Sequence, residues 1–315
     1  MDTVNVIVTC TKDKKAVVPK HCSLRAVPKG TIAERVAEWR RRLEAYPTRI
    51  MVRDLYAGDH WSIARSMQSK RFHVELWVCS AGYGLVRLAD EIAPYSATFA
   101  PNHPDSACKR ATDYANGDAA VAWWRQLSKW HGPSRGQPRS ITELADRYPR
   151  RAMLVVASEI YLGAISSDLR AALTNLADPD QLSIVSAGSR SVPGLEGHLI
   201  PCDARFQSLV NGARRSLNIR IASRILSEAK TMPSREDLTK KYGKLLESQP
   251  EIVRYERKPL TDDDVRAFIA AKLRVNATLR HTPLLRLLRE GGHACEQSRF
   301  ASLYREVVEQ SHGNA

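Results

Sequence analysis

What this chain lacks narrows its identity before anything it contains does. No apolar run approaches the roughly 18 residues a helix needs to cross a bilayer, and the first residues lack the order of a secretory signal. A cytoplasmic protein with no membrane partner is therefore expected. The six cysteines, at 10, 22, 79, 108, 202 and 295, include no Cys-x-x-Cys pair, which argues against a structural zinc site and against a disulfide framework. The nine histidines are equally dispersed. With no His-Glu-x-x-His or comparable ligand set, neither a metal nor an organic cofactor is expected.

Acid is also short. Against 34 Asp and Glu stand 48 Lys and Arg, a formal net charge of +14. An excess of that size favours a polyanionic partner, of which nucleic acid is the commonest. The 315 residues, 43% hydrophobic, can bury a large core and divide into two domains.

In chain order, Asn5 to Thr11 reads as a Val-rich strand ending on small polar residues. Thr31 with Glu34 forms a capping box that starts a helix to about Ala45. Asp54 to Trp61 gathers carboxylate, aromatic and imidazole groups before a helix over Ser62 to Lys70. A helix spans Ala119 to Trp130, followed by a basic segment, His131 to Arg139, and a capped helix from Ser140. Strands Ala152 to Ala157 and Leu182 to Ser186 flank a helix over Ser167 to Leu176, giving a β-α-β unit with parallel strands. An extended piece, His198 to Pro201, leads into a helix from Phe206 to Lys230. Everything beyond Thr231 reads as helical, with starts at Ser234, Thr261 and Thr282 and a stop at Gly291-Gly292. The expected fold is α/β, a mostly parallel central sheet flanked by helices, over residues 1–230. A basic, all-helical extension follows over 231–315, its last two helices arranged like a helix-turn-helix or as an ordinary αα-corner.

The stretch that organises the rest is Val74 to Phe99. An apolar run ends abruptly at Ser80-Ala81-Gly82-Tyr83-Gly84, so a buried strand with a tight loop at its end is expected. Ligands of open α/β sheets sit beyond such carboxyl ends. Asp90, Pro94 and Tyr95 follow closely and add a carboxylate and a second phenol.

Ser80-x-x-Tyr83-Gly84, Asp90 and Pro94-Tyr95, together with a first strand ending in Thr11-Lys12, resemble the core of the peroxide-stress DNA-binding YaaA family. They are also similar to the uracil-DNA-glycosylase-like modules attached to archaeal tRNA-guanine transglycosylases. The resemblance covers about the first hundred residues. It implies a domain that grips nucleic acid and accepts a base at the strand ends. In the same neighbourhood lies an anti-phage DNA glycosylase that excises glucosylated hydroxymethylcytosine. The expected activity is thus removal of a modified base from phage DNA, leaving an abasic site, as antiviral defence. The alternatives are a non-enzymatic DNA-binding stress protein and a tRNA base-modification module.

Cleaving an N-glycosidic bond passes through an oxocarbenium-like sugar, which calls for a carboxylate, and through an extruded base, which calls for stacking and hydrogen bonds. Asp90 is the expected carboxylate and Asp59 its reserve. Thr11, Ser80, Gly82, Tyr83, Gly84 and Tyr95 are expected to line the base pocket, joined by Glu159 and Ser189 from neighbouring strand ends. Lys12, Arg135, Arg139, Arg286, Arg289 and Arg299 are expected to contact DNA. No lysine suggests a Schiff-base step, so a monofunctional reaction is expected.

Overall fold

The computed structural model describes residues 2–188, 192–251 and 256–313. It confirms an α/β architecture built on a six-stranded sheet. The strands are β1 (Thr3–Thr9), β2 (His73–Ser80), β3 (Gly84–Arg87), β4 (Met153–Val156), β5 (Leu182–Val185) and β6 (Leu199–Ile200), in the spatial order β3-β2-β1-β4-β5-β6. All neighbours are parallel except the β2–β3 hairpin, and Ile7 lies opposite both Trp77 and Val155. Val6, Ile7 and Val8 are all buried, as strands covered on both faces must be. From β1 the chain reaches β2 on one side and β4 on the other, so the strand order reverses between β1 and β4, with the carboxyl ends of five parallel strands on one edge.

Local chemistry sets the helices. α1 (Ile32–Ala45) opens on the expected Thr31–Glu34 capping box and buries Arg35, Trp39 and Leu43 at four-residue spacing. α2 (Asp59–Arg65) starts three residues earlier than expected, after Gly58 at φ 93°. α3 (Asn116–Ser128) and α4 (Ile141–Arg147) follow, the latter capped by Ser140. α5 (Glu159–Asn175) begins two residues after the end of the apolar run of β4, well before the expected helix start at Ser167. The helix expected over Phe206 to Lys230 is broken at Asn211 (φ 49°) and Gly212 (φ 95°), and α6 covers only Leu217–Glu228.

The chain divides after Glu251, not after Lys230. α7 (Arg235–Glu247) belongs to the first unit because Leu238 and Tyr242 are buried in its core. The second unit comprises α8 (Asp262–Val275), α9 (His281–Glu290) and α10 (Gln297–Gly313), packed on a separate core of Val265, Ile269, Leu284, Leu288, Phe300 and Leu303; it is not all-helical as expected, because Lys258–Pro259 and His293–Ala294 pair as two short parallel strands. Gly291 and Gly292 close α9. Among the described residues no helix is long and apolar enough to cross a membrane.

Candidate functional site at the carboxyl edge of the sheet

The glycine stretch makes the tight loop expected, in the form of a hairpin. Ser80 pairs with Gly84, leaving Ala81, Gly82 and Tyr83 as the turn, with Gly84 at φ 75° as three-residue hairpins require. The Ser80 hydroxyl, fully buried, accepts from Gly82 N (3.2 Å) and Tyr83 N (3.0 Å) and shares a 2.6 Å hydrogen bond with the Tyr95 hydroxyl. Tyr95 in turn bonds the Tyr56 hydroxyl at 2.8 Å. A Cβ on Gly82 would come within 2.4 Å of the Tyr95 ring, so glycine is required there by close packing.

The hollow expected over this turn is therefore filled by Tyr95, which is buried and offers no stacking face. Lys14 completes the plug. Its ammonium donates to Thr11 O (3.1 Å) and Lys12 O (3.3 Å) and sits 4.7 Å from the Tyr95 ring centre, so both its hydrogen bonds and its cation–π contact are spent inside the protein. Burial holds this ammonium below the usual lysine range. Across the point where strand order reverses, Cys10 Sγ lies 3.1 Å from the Tyr161 hydroxyl.

Asp90, expected to be catalytic, is instead buried as a loop fastener. It accepts from Arg87 N (2.8 Å) and Ser134 Oγ (2.7 Å) and pairs with the Arg87 guanidinium at 3.3 Å. Asp59, the reserve, is engaged by Ser216 and Arg220, which hold it below the usual carboxylate range; Arg220 lies 2.8 Å away. Arg139 cannot reach DNA either. It is buried, donating to the carbonyls of Trp130, Leu85 and Tyr83, and burial brings its pKa down to about 10. Its guanidinium also lies against Gly84. Thr11 caps the carbonyl of Asp13. Glu159 is exposed at the start of α5, and its carboxylate has no partner among the described residues. Ser189 lies outside the described residues. Lys12 and Arg135 are exposed as expected.

In the helical unit each expected DNA contact has an internal partner: Arg286 pairs with Glu290 (2.8 Å), Arg289 donates to Cys295 O (3.0 Å) and Arg299 to Asp262 and Leu260 O. Residues 252–315 carry 11 Lys and Arg against 8 Asp and Glu, whereas residues 1–251 carry 37 against 26. The basic excess thus sits on the sheet unit, and the tail is not markedly basic.

Beside the filled centre of the edge lies an open cavity of about 290 Å³, lined by Leu43, Glu44, Arg49, Tyr83, Glu91, Trp130, Gly132 and Pro133. Tyr83 stacks on Trp130 with ring centres 5.3 Å apart. The Tyr83 hydroxyl accepts from Ala93 N (2.9 Å), and burial raises its pKa. Trp130 Nε1 donates to Glu44 Oε1 (2.8 Å), leaving the second Glu44 oxygen open, while Arg49 donates to the Glu44 carbonyl (3.0 Å). Glu91 is exposed, and its carboxylate has no partner among the described residues.

Of the expected pocket residues only Tyr83 lines this cavity. Glu44, Arg49, Glu91 and Trp130 were missed. A short antiparallel ladder between Ile50–Met51 and Glu91–Ile92 decides which neighbour faces out, burying Ile92 and exposing Glu91. Two carboxylates and a guanidinium on an aromatic wall can bind the polar edge of a flat heterocycle and accept a proton. The volume is near the lower end for small-molecule pockets, about 300 Å³.

Comparison of the chain with protein-family models, with curated proteins and with solved structures finds no match.

Proposed function

We propose that the protein is a DNA-binding N-glycosidic hydrolase that removes a modified base, in line with the resemblance of its first hundred residues, and that the base enters the cavity beside the hairpin. The observation that carries this reading is the pairing of an open, base-sized cavity with two accessible carboxylates on a unit holding most of the positive charge. Glu91 stands where Asp90 was expected to act. Its free carboxylate steadies the sugar cation and takes a proton from the attacking water, whose oxygen bonds to the sugar carbon as the bond to the base nitrogen breaks. The departing base takes a proton from solvent, Glu91 afterwards gives its own up to solvent, and Glu44 and Arg49 meet the polar edge of the base. Extrusion of the base from the duplex precedes this step.

The test is incubation with duplexes carrying cytosine, hydroxymethylcytosine or its glucosylated form, with base release followed by mass spectrometry. Release from a modified duplex, lost in Glu91→Gln, supports the reading. No release from any of them by the parent protein overturns it. One observation favours the rival, a DNA binder without base release: the centre of the edge is closed by Tyr95 and Lys14. That rival predicts salt-sensitive binding of unmodified duplex and intact bases throughout.

A further inference from the structure

A second feature of the first unit lies outside the cavity. Asp105 is fully buried and accepts from Ser23 Oγ (2.7 Å), Arg25 N (3.0 Å), Ser96 Oγ (2.8 Å) and the Arg25 guanidinium (2.6 Å), so it fastens the segment around residue 25 to that around residue 100. Around this fastener cations accumulate. Arg25 remains half-exposed, Arg110 Nη1 donates to Arg25 O (2.8 Å), Lys109 reaches Asn102 O (3.3 Å) and His103 Nδ1 accepts from Asp105 N (3.1 Å).

Lys12 is exposed just after β1, and its charge acts on the same imidazole. Burial lowers the basicity of His103, Asp105 pulls it back, and Lys12, Arg25 and Lys109 push it down again, so all three bear on one ring. The acid at the centre is spent on internal bonds. The neighbouring acid, Asp13, has its carboxylate turned toward Gly58, where a Cβ would lie 3.6 Å from it. The side chains of Lys12 and Lys109 therefore meet solvent with no carboxylate paired to them among the described residues.

We infer that Lys12, Arg25, His103 and Lys109 form a binding patch for the backbone phosphates of DNA, separate from the residues that line the cavity. The patch reads no sequence; its cations displace condensed counterions and fix the position of the strand. This rests on the reading of the partner as DNA, but not on base release.

The experiment measures binding of an unmodified 20-base-pair duplex by fluorescence anisotropy across salt concentrations. It uses the full chain and its Lys12→Glu, Lys109→Glu and doubly substituted forms. Both side chains are exposed, so thermal melts of the variants should match the parent. The control is Lys70→Glu, an equal charge change just before β2, at the opposite edge of the sheet. The double variant should lose about tenfold or more in affinity near 0.1 M salt, and its logarithmic salt slope should fall by roughly 2, the loss of two phosphate contacts. The control should keep the parental slope. Equal losses in the control and in each single variant, which carries the same charge change, would reduce the effect to net charge and overturn the patch, as would an unchanged slope in the double variant. Absence of any duplex binding by the parent would remove the DNA reading as well. Base release that persists in a double variant with a parental salt slope would overturn the patch alone.

Discussion

Two neighbouring regions of the sheet's carboxyl edge are built from similar residues and behave differently. At the centre, Ser80, Tyr95, Tyr56 and Lys14 satisfy one another, and the space over Gly82 is occupied by a phenol ring. At the hairpin flank, Tyr83 and Trp130 form a wall whose carboxylates, Glu44 and Glu91, keep open lone pairs facing a cavity. Residue type does not separate the two. What separates them is whether hydrogen-bonding capacity is consumed internally, since buried polar groups left unpaired are costly whereas exposed ones are free to meet a ligand.

Substitutions at the centre should therefore destabilise the protein, and those at the flank should leave its stability nearly unchanged. The largest effect belongs to Tyr95→Ala, which opens a void in the core and strips partners from Ser80 and Tyr56. A loss of about 3–5 kcal/mol in urea denaturation is expected. Ser80→Ala ranks next, because it leaves the Gly82 and Tyr83 amides and the Tyr95 hydroxyl without their acceptor; about 1–3 kcal/mol is expected by the same measurement. A cost below about 0.5 kcal/mol for either would show that the centre is loosely packed and available to a ligand after all.

Asp90→Asn sharpens the contrast between adjacent acids. The amide keeps the shape but loses the charge-assisted bonds to Arg87 and Ser134, and about 1–2 kcal/mol should go with them. The sign of the pH effect at the buried Asp105 is also fixed. Although burial raises its pKa, the hydrogen bonds from Arg25, Ser23 and Ser96 outweigh that and hold it well below the usual carboxylate value. A depressed folded-state pKa means that Asp105 stabilises the fold above the unfolded value of about 3.9 and that this contribution is lost as pH falls further. Acid denaturation of Asp105→Asn should start from a less stable protein and show a shallower dependence below about pH 4.

What could be read in the chain was what local sequence determines. The Thr31–Glu34 box started α1 as expected, and the Val-rich runs marked β1, β2, β4 and β5, because capping and apolar runs act over a few residues. β3 was not legible, since Gly84–Arg87 is short and becomes a strand only by folding back on β2. Helix starts were misplaced in opposite directions, α5 beginning at Glu159 and not Ser167 and α6 at Leu217 and not Phe206, the latter after the positive φ of Asn211 and Gly212. At the site, the turn and Tyr83 were legible. The choice between Asp90 and Glu91 was not, because it depends on pairing with Ile50–Met51, a contact between distant parts of the chain. The tertiary partners of Arg139 and Arg299 were equally invisible, and an arginine read as a DNA contact proved to be a buried or paired one.

Glu91→Gln is expected to change stability least and chemistry most. The side chain is exposed and unpartnered, so its removal should shift stability by no more than about 0.5 kcal/mol. Duplex affinity should hold or rise slightly, because one negative charge leaves a surface that faces a polyanion. Base release, in contrast, should fall about 10²–10⁴-fold, the range that a positioned proton acceptor contributes. Stability, affinity and turnover measured on the same preparation give three readouts that a merely structural carboxylate could not separate. If Glu91→Gln released base at the parental rate while Glu44→Gln did not, the catalytic role would pass to Glu44 and the cavity would stand. If both retained the parental rate, the chemistry would lie elsewhere on the edge, and the open flank would differ from the filled centre only in packing.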